Sequence, residues 1–303
     1  MSTPGLVPVR LRPALALGAA FVLGVVAFGW PFLTRPGSAL DTSHSGDAPL
    51  VFVLVLPLLV AVVLAELTSG GMDAKAVAML GMLAAVGGAL RALGPGTAGL
   101  EPSFAVIILG GRVFGRGFGF VLGAVTLFTG ALITGGVGPW LPFQMVAAGW
   151  VGFFAGCLPR ARGRAEVRWV AAYAFVAAVA YGAVMNLWFW PFAAYGPETS
   201  FVAGDPFGAN LSHYTVFYVT TSLPWDLGRS VISALVVLLA GTTLLRALRR
   251  ASRRAAFDAR AVFVTPPPTG VHPGVHPGGR PGPPRGALPG APVPGVEEPP
   301  RCT

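Results

Sequence analysis

Apolar residues run along this chain in long blocks separated by short polar connections. Blocks over 13–33, 50–68, 74–93, 102–114, 117–135, 141–158, 168–191 and 222–247 read as helical spans. Most approach the roughly 20 residues that cross a bilayer; the fourth is short, and is expected to be tilted or only partly crossing. Glycine recurs inside the blocks, which lipid tolerates because small residues let helices approach closely. The pattern predicts an all-α, polytopic membrane protein of about eight spans. Beyond about residue 261 it gives way to TPPPTGVHPGVHPGGRPGPPRGALPGAPVPG, which cannot build a core. That segment is expected to be a disordered tail with polyproline II tendency. Its tandem GVHPG copies, with His272 and His276, could hold a metal only weakly. The basic stretch ALRRASRRAAFDARA before it is expected to continue the last helix.

Composition sharpens the picture. Of 303 residues, 54% are hydrophobic and 11% charged, too little charge to cover a soluble surface. The excess of +9 is almost all arginine. In a membrane protein this is first a topology signal, and no nucleic-acid partner follows from it. Arg10 and Arg12 precede the first span, and Lys75 follows the second. Arg112 and Arg116 follow the fourth, Arg160, Arg162, Arg164 and Arg168 the sixth, and Arg246, Arg249, Arg250, Arg253 and Arg254 the eighth. The intervening connections carry Asp41, Asp47, Glu101, Glu198 and Asp205, with Arg35 and Arg91 the exceptions. The positive-inside rule then puts both termini in the cytoplasm, with an even number of spans. The first block exceeds the usual signal-peptide core of about 7–15 residues and reads as an uncleaved span. Cys157 and Cys302 make no disulfide framework.

Ionisable groups at membrane depth are costly and tend to be functional. On this topology Arg91, Glu101, Trp140, Gln144, Asn186, Asp226 and Arg229 all fall toward the outer side. Such one-sidedness suggests a polar cup walled by aromatics, of the kind that small-molecule sites use. Plainer readings stand beside it. Asp226 and Arg229, three apart on one helical face, can neutralise each other. Trp140, Trp188, Trp190 and Trp225 can form an interfacial belt, and Gln144 can cap its own helix. Glu66, near the inner end of the second block, reads as a snorkelling helix-end residue. The chain has no GxxxxGK[ST], HExxH or GxSxG motif. No nucleophile–base pair lies at depth either: His44 and His213 fall in expected outer loops. An enzyme is therefore not expected, and uphill transport would have to draw its energy from partners or an ion.

From Ala74 onward the chain resembles a substrate-specific (S) component of an energy-coupling factor vitamin transporter. AKAVAMLGMLAAVGGALRALG is similar to that family's first core helix. EPSFAVIILGGRVFGRGFGFVLGAVTLFTGAL resembles its short second helix, cytoplasmic Gly-Arg turn and third helix. GPWLPFQMVAAGWVGFFAG resembles the start of the fourth, most closely in members assigned to cobalamin, and 168–247 supplies a fifth and sixth. The resemblance implies a six-helix core over 74–250, an extra hairpin over 1–73, and a basic helix end with its tail over 251–303. It implies capture of a vitamin in an outward pocket, with no cofactor, and docking on a transmembrane coupling subunit with two ATPase subunits. A corrinoid is the first candidate ligand and riboflavin another. A structural or assembly protein without a ligand is the alternative from a different class.

Within this reading Gln144, Asn186 and Arg229 would hydrogen-bond the vitamin, Trp140 and Trp188 would pack on it, and Asp226 would hold Arg229 in place. Pro139 and Pro142 would fix the start of their helix. Ala74, Ala78, Gly81, Ala85 and Gly88 recur at helical spacing and would give the coupling subunit a smooth face; close packing within the chain explains them equally well. The topology is testable by labelling whole cells with an impermeant thiol reagent, after serine replaces the native cysteines. Ser200→Cys should label and Arg162→Cys should not; the opposite result inverts the orientation.

Overall fold

The computed structural model describes residues 11–33, 74–94, 101–193 and 196–254. The block expected over 50–68 and the tail beyond 254 lie outside the described residues. Among those described there is no β-strand, and eight α-helices follow one another: α1 Leu11–Gly29, α2 Ala74–Arg91, α3 Ser103–Phe114, α4 Arg116–Thr134, α5 Leu141–Ala155, α6 Gly163–Phe189, α7 Phe207–Thr221 and α8 Leu223–Arg254. Short 3-10 turns, Trp30–Leu33 and Trp190–Phe192, finish α1 and α6. This is the helical membrane fold that the apolar blocks predict. Three of the helices, α4, α6 with its 3-10 turn, and α8, are long and apolar enough to cross a membrane. The expected short span is α3, with 12 residues. At 1.5 Å per residue it covers about 18 Å, well under the roughly 30 Å of a hydrocarbon core.

Two elements depart from the expected map. The stretch 194–221, expected as an external loop, contains the helix α7. It buries Tyr214, Phe217 and Tyr218 against Trp190 and Ala193. Aromatic packing thus supplies the stability that its polar composition hides. Helix α6 starts at Gly163 instead of 168, which brings Glu166 into its first turn. There the carboxylate also suits the positive end of the helix dipole. The arginine-rich end of α8 remains helical through Arg254, as expected.

α3 lies at the centre and touches α2, α4, α5, α6 and α8. Its Phe104, Ile107, Ile108 and Leu109 are fully shielded. The closest seam joins α4 to α5. A Cβ on Gly119 would strike the Gly152 carbonyl, a Cβ on Gly152 would strike that of Gly119, and a Cβ on Gly111 of α3 would meet the same Gly152 oxygen. Three backbones converge where only glycine fits. α6 and α8 form the other extensive pair. Outside them α1 lies on α5 and α6, where Phe21 and Phe28 meet Phe143, Trp150 and Phe153.

The glycine junction makes a prediction. Gly152→Val should lower thermal stability in detergent by about 1–3 kcal/mol, the usual cost of overpacking. Gly81→Ala, with open space around the added methyl, should leave stability unchanged or raise it by about 0.5–1 kcal/mol.

Candidate binding cavity

Polar side chains converge at the end of the bundle where α7 packs against α6 and α8. Arg91 is the last residue of α2. Glu101 stands just ahead of α3, and Gln144 lies in the first turn of α5. Tyr181, Gly182 and Asn186 come from the last turns of α6, and Asp226 and Arg229 from the first turns of α8. With Met185 they line a cavity of about 190 Å³.

Most of these groups are held by one another. Arg229 donates from Nε to Glu101 Oε2 at 3.0 Å and from Nη1 to Asp226 Oδ1 at 2.6 Å. Its guanidinium also lies 5.7 Å from the Phe104 ring centroid and 5.3 Å from that of Tyr181. Arg91 Nη2 donates to Gln144 Oε1 at 2.9 Å, while Nη1 stands 3.7 Å from Glu101 Oε1. Asp226 fits against α6 because residue 182 is glycine; any Cβ there would overlap its carboxylate. The α7 cap is tied to the same network. Tyr218 donates to Asp226 Oδ2 at 3.1 Å, and Ser222 to Asn186 Oδ1 at 2.8 Å. Burial, with Asp226 adding to it, pushes the Tyr218 hydroxyl well above the usual phenol range, so it remains a donor. Tyr214 donates to the Ala183 carbonyl. Trp190 Nε1 reaches the Thr199 carbonyl at 2.7 Å.

Of the residues expected to meet a ligand, Gln144, Asn186, Asp226 and Arg229 are brought together in the cavity wall. Trp140 and Trp188 are not among the lining residues. Their ring centroids lie 6.4 Å apart, Trp188 also packs on Phe143, and Trp140 Nε1 donates to the Gly136 carbonyl. The Asp226–Arg229 pair forms, but Glu101 joins it, so it is more than a self-neutralising couple. Gln144 makes no side-chain cap; its oxygen is taken by Arg91. Pro142 does sit in the first turn of α5. Tyr181, Gly182, Met185, Tyr218 and Ser222 escaped the sequence reading, since an apolar block gives no sign of which turn faces a neighbour's charge. Of the small-residue stripe, Ala78, Gly81 and Ala85 are exposed on α2, and Ala74 opens that helix. Gly88 is buried against Thr129 and Gly130 of α4, so it belongs to internal packing.

A second charged cluster holds the opposite end. Glu166, only 2% exposed, accepts from Arg112 Nε at 2.8 Å and from Arg249 Nη2 at 2.6 Å. Arg112 also donates from Nη1 to the Leu158 carbonyl at 2.7 Å and from Nη2 to the Pro159 carbonyl at 2.9 Å. The last turn of α3, the α5–α6 connection, the start of α6 and the end of α8 are thereby bound together. Arg112 and Arg249 had read only as topology signals.

A helical membrane bundle with a charge-lined cavity at its capped end has the architecture of a membrane-embedded solute-binding protein. The family model described as "ECF transporter, substrate-specific component" matches residues 75–241, more than half of the chain, and the chain belongs to that family. The match runs from α2 into α8 and leaves α1 outside. No curated protein and no solved structure matches the chain. Members of this family are substrate-binding transport subunits in the membrane, not enzymes, and work with coupling and ATPase subunits.

The Glu166 cluster gives a stability test. Glu166→Ala leaves Arg112 buried without its counter-ion and should cost about 3–5 kcal/mol, read as a lowered unfolding midpoint in detergent. Arg249→Ala removes the more exposed partner, 43% accessible, and should cost less.

Proposed function

We propose that this protein captures a vitamin from outside the cell in the cavity between α2, α3, α5, α6 and α8 and delivers it to a transmembrane coupling subunit driven by two ATPases. The observation that carries this reading is the convergence of Arg91, Glu101, Gln144, Asn186, Asp226 and Arg229 on one cavity, in a family whose members bind a substrate within the membrane. The arginine-rich connections gather at the end away from that cavity. With the positive-inside rule, this favours an outward-facing site and cytoplasmic termini. Residues 74–250 then form the transport core, with 1–73 an added hairpin and 251–303 a cytoplasmic extension. The exposed Ala78, Gly81 and Ala85 of α2, with Ala74 at its start, offer the coupling subunit a smooth helix face, since close van der Waals contact drives helix association in lipid. A purely structural role leaves the charge-lined cavity without a purpose. Among vitamins, the GPWLPFQM stretch favours a corrinoid by resemblance, with riboflavin an alternative; the size and charge balance of the cavity favour a smaller molecule.

Two kinds of variant separate binding from coupling. Asn186→Ala and Gln144→Ala should each weaken vitamin binding by about 1–3 kcal/mol, roughly 5- to 150-fold, in calorimetric titrations of folded protein. Ala78→Leu should leave binding intact and abolish uptake into vesicles that also hold the coupling and ATPase subunits. Parental affinity in both polar variants would remove the site from this cavity. Loss of folding in Ala78→Leu would assign the stripe to internal packing.

A further inference from the structure

The walls of the cavity constrain the chemistry of what fits it, given that it is the substrate site. Its volume is about 190 Å³. A cavity of roughly 150 Å³ holds one benzene molecule, whereas pockets that enclose drug-sized ligands run to roughly 300–1,000 Å³. The cavity is half open, and the part of a substrate that sits within it is a single substituted ring; anything larger would project through its mouth. A corrinoid would have to remain almost wholly outside it.

Charge narrows the choice further. Arg91 and Arg229 face Glu101 and Asp226, so the positive and negative lining charges cancel. Any net charge on the substrate would enter this balanced set unpaired, at a depth where such charges are costly. An anion placed on Arg91 would lie beside the Glu101 carboxylate, and a cation placed on Glu101 would lie between two guanidinium groups.

Hydrogen bonding gives the orientation. Arg229 is engaged by Glu101 and Asp226, and Asn186 accepts from Ser222 and spends one of its two amide hydrogens on Gly182, which leaves the second to donate to a substrate. The Gln144 oxygen is taken by Arg91. Among the described residues lining the cavity, Arg91 Nη1 is the buried polar atom left without a hydrogen-bond partner. A buried N–H without an acceptor is costly, and an oxygen that takes it recovers the cost. Glu101 Oε1, 3.7 Å from that nitrogen, is an acceptor placed to receive an N–H or O–H of the same molecule.

We propose that the substrate is a compact single-ring molecule of no net charge, neutral or zwitterionic. It places an oxygen on Arg91 Nη1 and a donor hydrogen on Glu101. Arg91 is on this reading the residue that selects it.

The test uses the full chain in detergent, titrated calorimetrically with nicotinamide and pyridoxine as neutral single rings, nicotinate as an anion, 1-methylnicotinamide as a single-ring cation and cyanocobalamin as the large probe. Native mass spectrometry of protein purified from rich medium gives the mass of any molecule carried through. A neutral ring should bind at least tenfold more tightly than either charged probe, cyanocobalamin should not bind, and any co-purified molecule should have a single-ring mass. Arg91→Lys, which keeps the charge but not the forked donor geometry, should weaken the neutral ring at least fivefold while the protein elutes as folded. Binding of cyanocobalamin that is lost in Asn186→Ala would overturn this inference and keep the substrate site. A charged probe binding as tightly as the neutral rings, or Arg91→Lys binding like the parent, would also overturn it. No binding to any probe, with no co-purified molecule, would remove the substrate-site reading and this inference together.

Discussion

A charge at membrane depth persists only when other groups pair with it, and α3 brings two such charges into the bundle. The helix has 12 residues, with Glu101 just ahead of it and Arg112 in its last turn. Its length of about 18 Å falls short of the hydrocarbon core, so at least one of the two groups lies at membrane depth. Each must find partners on neighbouring helices. Glu101 finds Arg229 and Arg91, and Arg112 finds Glu166. The positions of α2, α6 and α8 around α3 follow from those pairings as much as from apolar contact.

The result is a bundle bound ionically at both ends and packed by glycine between them. α8 takes part at both ends, through Asp226 and Arg229 at one and Arg249 at the other. α6 contributes Tyr181 and Asn186 to the cavity and Glu166 to the opposite cluster. The α4–α5 seam brings backbone to backbone at Gly119 and Gly152, near the Arg112 end, and again at Gly123 and Ala148 nearer the middle, where dispersion contact replaces the missing hydrophobic drive of a lipid environment.

The cap and the outer helices use a different material. α7 is fastened by aromatic rings and hydroxyl donors, among them Tyr214, Phe217 and Tyr218, and two of its tethers, Tyr218 and Ser222, end on residues of the cavity wall. The 3-10 turn after α1 reaches the same cap, where Phe32 meets Trp190 and Phe207. α1 thus braces the cap from outside the family core. α2, by contrast, buries Leu80 and Ala84 inward and leaves Ala78, Gly81 and Ala85 facing away.

The apolar blocks by themselves determined that this is a helical membrane protein, located every described helix except α7, and marked α3 as short. Those properties depend on composition over a window of residues, which is local. The one-sided placement of Arg91, Glu101, Gln144, Asn186, Asp226 and Arg229 was legible too, because positive-inside counting orders the helix ends. What only the tertiary structure decided is which of those groups touch. Glu101 joins two arginines from different helices, Trp140 and Trp188 turn toward each other beside the cavity, and Glu166 gathers arginines that looked like topology signals. A helical wheel within an apolar block is nearly featureless, so the rotation of each helix is settled by contacts far apart in sequence: glycine against carbonyl at one level, and carboxylate against guanidinium at the ends.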